Sequence, residues 1–274
     1  RGASPELVRS PGRGFLGDRD LMLYGLYASG LGAIGQSLRL DLIANNLANV
    51  NTPGYRRDQV SFRERLAEAL EDKPDLKYYN SLVHRYGGAP FVDKISYDKE
   101  AGAYDVTGNK LDFAISGNGY FTVRDRVTDR LYYTRAGNFT IDSEGNLGTA
   151  DGKYLVVSED GEAIHIDPTV VSDLKLDPEG NLFQGEQFVG RFGIADSAGI
   201  QKVGDNVFQA FASAATPAQG FTLAQATLEG SSVNPIVEMV DMIRTMRAIE
   251  SNLQMIKIQD GTLDRAVNEL GRVR

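Results

Sequence analysis

Ten positions near the C-terminus constrain this chain more than any other feature. Met239, Met242, Met246, Ile249, Leu253, Ile256, Asp260, Leu263, Val267 and Leu270 recur at alternating steps of three and four, and all but Asp260 are apolar. That spacing draws one narrow line along a helix, so it reads as a heptad seam rather than a broad apolar face. Asn234 followed by Pro235 provides an N-cap and a proline at the first helical position. At ~1.5 Å per residue the helix would run roughly 50 Å. Asp260-Gly261 is its weak point. A seam of this kind has to be buried against something: the N-terminal helix, other chains or, in a monomer, the central domain.

A second long helix is predicted near the other end. Tyr24, Tyr27, Leu31, Ile34 and Leu38 keep helical spacing, and the stripe slips near Asp41 before resuming as Leu40, Ile43, Leu47 and Val50. Asp18 or Asp20 could cap it, and Thr52-Pro53-Gly54 must end it near Asn51. Before it, residues 1–21 contain Pro5 and Pro11 among glycines and read as a flexible extension, with Met22 a plausible natural start. A shorter helix is predicted over 61–71. Ser61 and Glu64 have capping-box spacing there, and Phe62, Leu66 and Leu70 form a stripe. The N-terminal helical segment is thus placed at 22–72, and residues 73–103 read as an irregular, extended linker.

Residues 104–228 carry a different signal. Short runs such as LDFAIS, YFTVRD, LYYTRA, KYLVVS and LKLD are separated by Gly, Asp and Asn turns. One turn occurs twice, as Asp142-Ser-Glu-Gly-Asn-Leu147 and Asp177-Pro-Glu-Gly-Asn-Leu182. Asp151-Gly152 and Asp160-Gly161 add further hairpin signals. The fold class expected is therefore α+β: a central antiparallel β domain bracketed by an N-terminal helix and a C-terminal helix over 229–274, the two packing as a coiled-coil-like pair. Both helices carry more than one apolar face, as Val237, Val240 and Ile243 beside the seam illustrate. Other chains would have to complete their cores.

Composition removes several classes of function. Among 274 residues there is no Cys and only two His, His84 and His165, so thiolate or His-based metal sites and nucleophilic triads have almost no material. The formal net charge of −8 disfavours nucleic-acid binding. No stretch of about 18 apolar residues predicts a membrane span, and no secretory apolar region opens the sequence. Asp105, Asp112 and Asp125 could furnish a glycosidase-type carboxylate pair, but nothing singles out two of them. The Asp-x-Glu-Gly-Asn turns lack the ligand spacing of calcium loops, and Gly117-Asn-Gly119 lacks the third glycine of a dinucleotide fingerprint. No catalytic, metal or cofactor-binding residue is assigned, and no cofactor, small-molecule substrate, nucleic acid or membrane insertion is expected. A β-domain enzyme or carbohydrate binder with helical dimerisation arms is the alternative outside the structural class.

Four blocks carry a resemblance. Leu42-Ile-Ala-Asn-Asn-Leu-Ala-Asn-Val-Asn-Thr-Pro-Gly-Tyr55 resembles the N-terminal signature of the bacterial flagellar rod and hook family. Ile115-Ser-Gly-Asn-Gly-Tyr-Phe121 and Tyr133-Thr-Arg-Ala-Gly-Asn-Phe139 resemble its central blocks. Leu228-Glu-Gly-Ser-Ser-Val-Asn234, Val237-Glu-Met-Val-Asp-Met-Ile243 and Met246-Arg-Ala248 resemble its C-terminal block, with Met246 where the family commonly has Gln. The length suits a short rod member, and Lys202-Val-Gly-Asp-Asn-Val-Phe208 is closer to the proximal than to the distal rod branch.

The resemblance implies a structural subunit of the basal-body rod. Its terminal helices would line a helical tube around the export channel, with the β domain outside. It would transmit torque across the periplasm and reach its place by flagellar type III export without a cleaved signal. Other copies, other rod proteins and the export apparatus are the implied partners. A distal rod protein or another axial component is the near alternative. The assembly interface is expected at Leu31, Ile34, Leu38, Leu42, Asn45, Asn46, Asn49 and Asn51 on the first helix, and at Met239, Met242, Met246, Ile249, Leu253, Ile256, Leu263 and Val267 on the last. Asn is a poor residue for a helix interior, so the four asparagines are expected to bond across subunits and set register.

Overall fold

The computed structural model describes residues 18–64, 90–98, 100–196, 200–204, 206–210 and 216–271. Residues 1–17 of the expected extension, and residues 65–71 of the expected short helix, lie outside them.

Helix α1 spans Asp18–Ala48, so Asp20 lies inside it. A turn over Asn49–Tyr55 ends it, with the Thr52 N–H donating to the Asn49 carbonyl and Gly54 at φ +65°. Only glycine fits there, because a Cβ on Gly54 would sit 2.3 Å from the Arg135 carbonyl carbon. The next element corrects the sequence expectation. Ser61 and Glu64 lie in strand β1, Asp58–Glu64, which pairs with β2, Pro90–Tyr97, from the expected linker. A ladder partner some thirty residues on overrides the local capping-box pattern.

The middle of the chain is antiparallel throughout its recorded pairings. Its strands are β3 (Tyr104–Val106), β4 (Phe113–Ser116), β5 (Tyr120–Asp125), β6 (Leu131–Thr134), β7 (Phe139–Ile141), β8 (Leu147–Thr149) and β9 (Tyr154–Val156). They continue as β10 (Leu174–Leu176), β11 (Asn181–Gln184), β12 (Gln187–Arg191), β13 (Ile194–Asp196), β14 (Ile200–Gly204) and β15 (Val207–Ala210). The last are β16 (Thr216–Pro217), β17 (Thr222–Gln225) and β18 (Thr227–Glu229). The largest sheet runs β14-β15-β6-β5-β9-β8-β7, with β13 also on β5 and β16 on β13. A second sheet is β10-β11-β12, and β17-β4 and β18-β3 form ribbons.

The twin turns are built alike. In each, the glycine N–H donates to the aspartate carbonyl three residues back, and the aspartate N–H donates to the asparagine carbonyl four residues on. Gly145 at φ +86° and Gly180 at φ +95° supply the left-handed residue of a three-residue hairpin loop. Both sheets share one core. Leu174 and Leu182 of the small sheet join Phe121, Val123, Leu147 and Val156 of the large one. Phe113, Phe121, Phe139 and Phe192 interlock within it, the closest centroids 5.0 Å apart.

Helix α2 spans Pro235–Gly271 and passes through Gly261 unbroken. The Asn234 side-chain oxygen accepts from the N–H groups of Ile236 at 3.1 Å and Val237 at 3.3 Å, the cap read from the sequence.

The described residues fall into two compact units. One draws on Arg1–Asp41, Val60–Lys94 and Ile243–Arg274, the other on Leu42–Gln59 and Ile95–Met242. The second unit therefore holds the end of α1 and the start of α2 together with the β domain.

Candidate assembly interface

The covered face of α2 mixes polar and apolar side chains. Glu238 and Thr245 are buried, and Asn252 and Gln259 are half-buried, four positions spaced by one heptad. The seam splits along its length. Met242, Ile249, Ile256 and Leu263 are half-buried, whereas Met239, Met246, Leu253 and Val267 are exposed, from 46% to 69%. Ile236, Val237, Val240, Ile243, Met255 and Ile258 are exposed beside them. A run of apolar side chains thus stands exposed along one helix.

On α1, Ile34 is 66% exposed, and Leu31, Leu38 and Leu42 are half-buried. Within the first unit, Gly25 and Gly32 face α2. A Cβ at Gly25 would lie 2.7 Å from Gln259 Nε2, and one at Gly32 3.3 Å from Asn252 Nδ2. Rising numbers on α1 meet falling numbers on α2, so the two stretches run antiparallel there, glycine against amide.

The asparagines behave differently from one another. Asn46 is 1% exposed, and its amide is spent inside the chain. Its Nδ2 donates to the Asp58 carbonyl and its Oδ1 accepts from the Asp58 N–H, both at 2.9 Å, as a neighbouring strand would do. Its Oδ1 also accepts from the Tyr55 hydroxyl at 3.3 Å, so these bonds of Asn46 all lie within the chain. Asn45 is exposed, although its Oδ1 accepts from the Tyr55 hydroxyl at 2.7 Å. Asn49 bonds locally to the Asn45 carbonyl and the Thr52 hydroxyl, and Asn51 is exposed.

The turn after α1 is bonded to several elements of the second unit. Glu229 is 1% exposed and bridges two buried guanidiniums, Arg56 Nη2 at 2.7 Å and Arg135 Nη1 at 3.1 Å. Arg135 also donates to the carbonyls of Ile115 and Gly117 and stacks on the Tyr120 ring. Burial pushes Arg56 below the ordinary guanidinium range, while Glu229 pulls it back up. Lys202 Nζ lies 3.8 Å above the Tyr55 ring and 2.8 Å from Asp58 Oδ2. Burial, and then the Asp58 carboxylate, raise the Tyr55 hydroxyl well above the usual phenol range. Asn206 Nδ2 donates to the Pro53 carbonyl at 2.8 Å. Arg57 pairs with Glu238 at the start of α2, and the Ser232 N–H donates to the Tyr55 carbonyl.

The sequence reading missed Arg56, Arg135, Glu229, Lys202, Asn206 and Glu238. A faint signal existed in Glu229, a carboxylate closing an apolar strand just before Gly230. Of the carboxylates weighed for catalysis, Asp105 is exposed in strand β3 and the other two serve turns. Asp112 is buried and accepts from Thr107 and Asn109, and Asp125 accepts from the N–H groups of Val127 and Thr128. His165 lies beside Asn146, and His84 is outside the described residues. Among the described residues no cluster of His, Asp or Glu is placed to hold a metal, and no helix is long and apolar enough to cross a membrane.

A closed β domain with a long helix whose apolar side stays outside defines a subunit built for assembly. Family models agree along the chain. One described as "Flagella basal body rod protein" matches residues 26–56. "Flagellar hook protein FlgE/F/G D1 domain" matches 114–184, and "Flagellar basal body rod FlgEFG protein C-terminal" matches 224–269. The chain is 34% identical to the flagellar basal-body rod protein FlgG of Bacillus subtilis, over 90% of its own length and 99% of that protein's. It is 31% identical to FlgF of Caulobacter vibrioides, over 85% of its length and 92% of that protein's. FlgG of Agrobacterium fabrum matches at 30%. The chain belongs to the flagellar basal-body rod protein family. It is a structural subunit of the rod and not an enzyme.

Proposed function

We propose that this subunit polymerises through α1 and α2 into a helical tube around the export channel and carries torque along the basal body. The exposed half of the α2 seam supports this most directly: Met239, Met246, Leu253 and Val267 need apolar partners that the described residues do not supply. In the tube, the seam of one subunit closes on helices of other copies and of other rod proteins, as a coiled coil between chains. Ile34, with Leu31, Leu38 and Leu42 beside it, offers the matching stripe on α1, and the exposed Asn45 and Asn51 set register. Met242, Ile249, Ile256 and Leu263 form the inner half of the seam, Asn49 and the internally bonded Asn46 shape the end of α1, and the domain over 104–228 faces outward. Residues 22–72 and 229–274 form the rod core, joined through 73–103. Type III export delivers the subunit, and the rod it joins crosses the periplasm.

The station proposed is the proximal one, on the strength of Lys202–Phe208, which builds the β14–β15 hairpin. Relatives named FlgG and FlgF match over similar spans, so neighbours decide the matter. Crosslinks from Val203, which is 55% exposed, should reach other proximal components in isolated basal bodies. Crosslinks only to the distal rod protein would assign the distal station.

The assembly reading is tested by Met246→Asp and Leu253→Asp. Both side chains are about half exposed, so the melting temperature of the isolated subunit should stay within a few degrees. Rod formation and swimming should be lost. Normal rods from either variant would remove the seam as the contact surface.

A further inference from the structure

The turn over residues 53–58 is held from several sides within one compact unit. The Gly54 N–H donates to the Glu229 carbonyl at 2.7 Å, and the Arg57 N–H to Ser232 Oγ at 2.9 Å. Asn206 holds the Pro53 carbonyl, Lys202 the Arg56 carbonyl, and Asn46 both backbone groups of Asp58. Beneath lies the Arg56–Glu229–Arg135 triad, two cations on one carboxylate, each at most 5% exposed. Arg56 Nε and Arg135 Nε have no hydrogen-bond partner. The two buried cations therefore rest on Glu229 and a few carbonyls. A buried ion network recovers its desolvation cost only when its geometry is complete, so this one is either shut or open.

We propose that residues 53–58 form a clasp that shuts in the isolated subunit, before any neighbour is met. It ties the end of α1 and the start of α2 to the β domain, with Arg56, Arg135, Glu229, Lys202 and Asn206 as positioning residues. The proposal rests on the rod reading only in assigning what the clasp is for: a load arriving at either helix passes into the β domain through bonds already made. The boundary of the self-sufficient unit then falls near Leu42 and Met242 rather than at the ends of the β strands. The hairpin with the Lys202–Phe208 run acts as the upper jaw of the clasp.

Hydrogen exchange of the isolated full-length subunit, read amide by amide, tests this. The amides of Gly54, Arg57, Asp58 and Ser232 should exchange as slowly as those of β5 and β6, and those of α2 beyond Leu253 far faster. Glu229→Gln keeps the shape but leaves two buried cations without their carboxylate. Exchange at 53–58 and 229–232 should rise on the order of a hundredfold while β7–β9 stay unchanged. If that variant does not fold, Lys202→Met gives a second reading. It keeps the aliphatic stem over Tyr55 and loses the bonds to Asp58 and the Arg56 carbonyl, so exchange should rise about tenfold at 55–58 alone. Fast exchange of the clasp amides in the unaltered subunit would overturn the proposal. So would a rise spread evenly over the β domain in either variant, because the network would then be ordinary core. Seam variants that still assemble would remove the seam as the contact surface and leave these exchange results standing.

Discussion

The β core and the outer side of α2 treat the same kind of residue in opposite ways. Phe113, Phe121, Phe139 and Phe192 are at most 2% exposed and lean on one another. Met239, Met246, Leu253 and Ile258 are about half exposed, and the buried positions of their helix are Glu238 and Thr245. Hydrophobic burial drives both regions, but in the first it is satisfied within the chain and in the second it is deferred. A chain that closes every apolar face has no reason to polymerise. One that closes none would aggregate before reaching its neighbours. This subunit separates the tasks by region.

The comparison breaks most severely at the core. Phe121→Ala removes a ring that is fully buried against Phe139 and Phe192. It should cost about 3–5 kcal/mol and lower the melting temperature by roughly 10 °C, measured by calorimetry on the isolated subunit. A shift no larger than that of the seam variants would erase the distinction between closed and deferred surfaces.

Asn234→Ala tests a smaller, local term. It removes the acceptor for two first-turn N–H groups and should cost about 1 kcal/mol. Helicity should fall at the start of α2, read by exchange at 236–238, and the β core should be unaffected.

The smallest effect expected is a pH dependence at one twin turn. Burial works against the Asp142 carboxylate, yet the hydrogen bond from Arg126 and the N–H groups of Asn146 and Glu144 outweigh it and bring it down to about 2. The unfolded value is about 3.9, so the unfolded chain binds the proton more readily. The contribution of Asp142 is therefore present above about pH 4 and lost as the pH falls toward 2. Asp142→Asn should lower stability slightly at pH 7 and flatten that acid limb, as followed by melting temperature against pH. An unchanged acid limb would show that the turn geometry, not the ionised carboxylate, holds the hairpin.

Much of the architecture was legible in the residues alone. The start of α2 at Asn234-Pro235, the end of α1 before Pro53-Gly54 and the twin Asp-x-Glu-Gly-Asn hairpins all follow from local chemistry. Caps, prolines and left-handed glycines act within a few residues of themselves. The heptad seam was equally plain, because its period lies in the sequence. The strand at Asp58–Glu64 was not, since its ladder partner comes from a segment that has no period of its own. Nor was the fate of the four asparagines, which one composition argument treated alike and the fold treats separately.

The sequence by itself determined where the two long helices and the twin hairpin turns lie, and that an apolar line runs the length of α2. Only the tertiary structure decided which half of that line is covered, and that Glu238 and Thr245 are buried beside it. It also decided that Arg56 meets Glu229 and Lys202 meets Asp58, partners more than 140 positions apart in the chain. Periodicity reports where a side chain points around its own helix. It carries no information about which distant charge will be waiting there, because that depends on how the whole β domain closes.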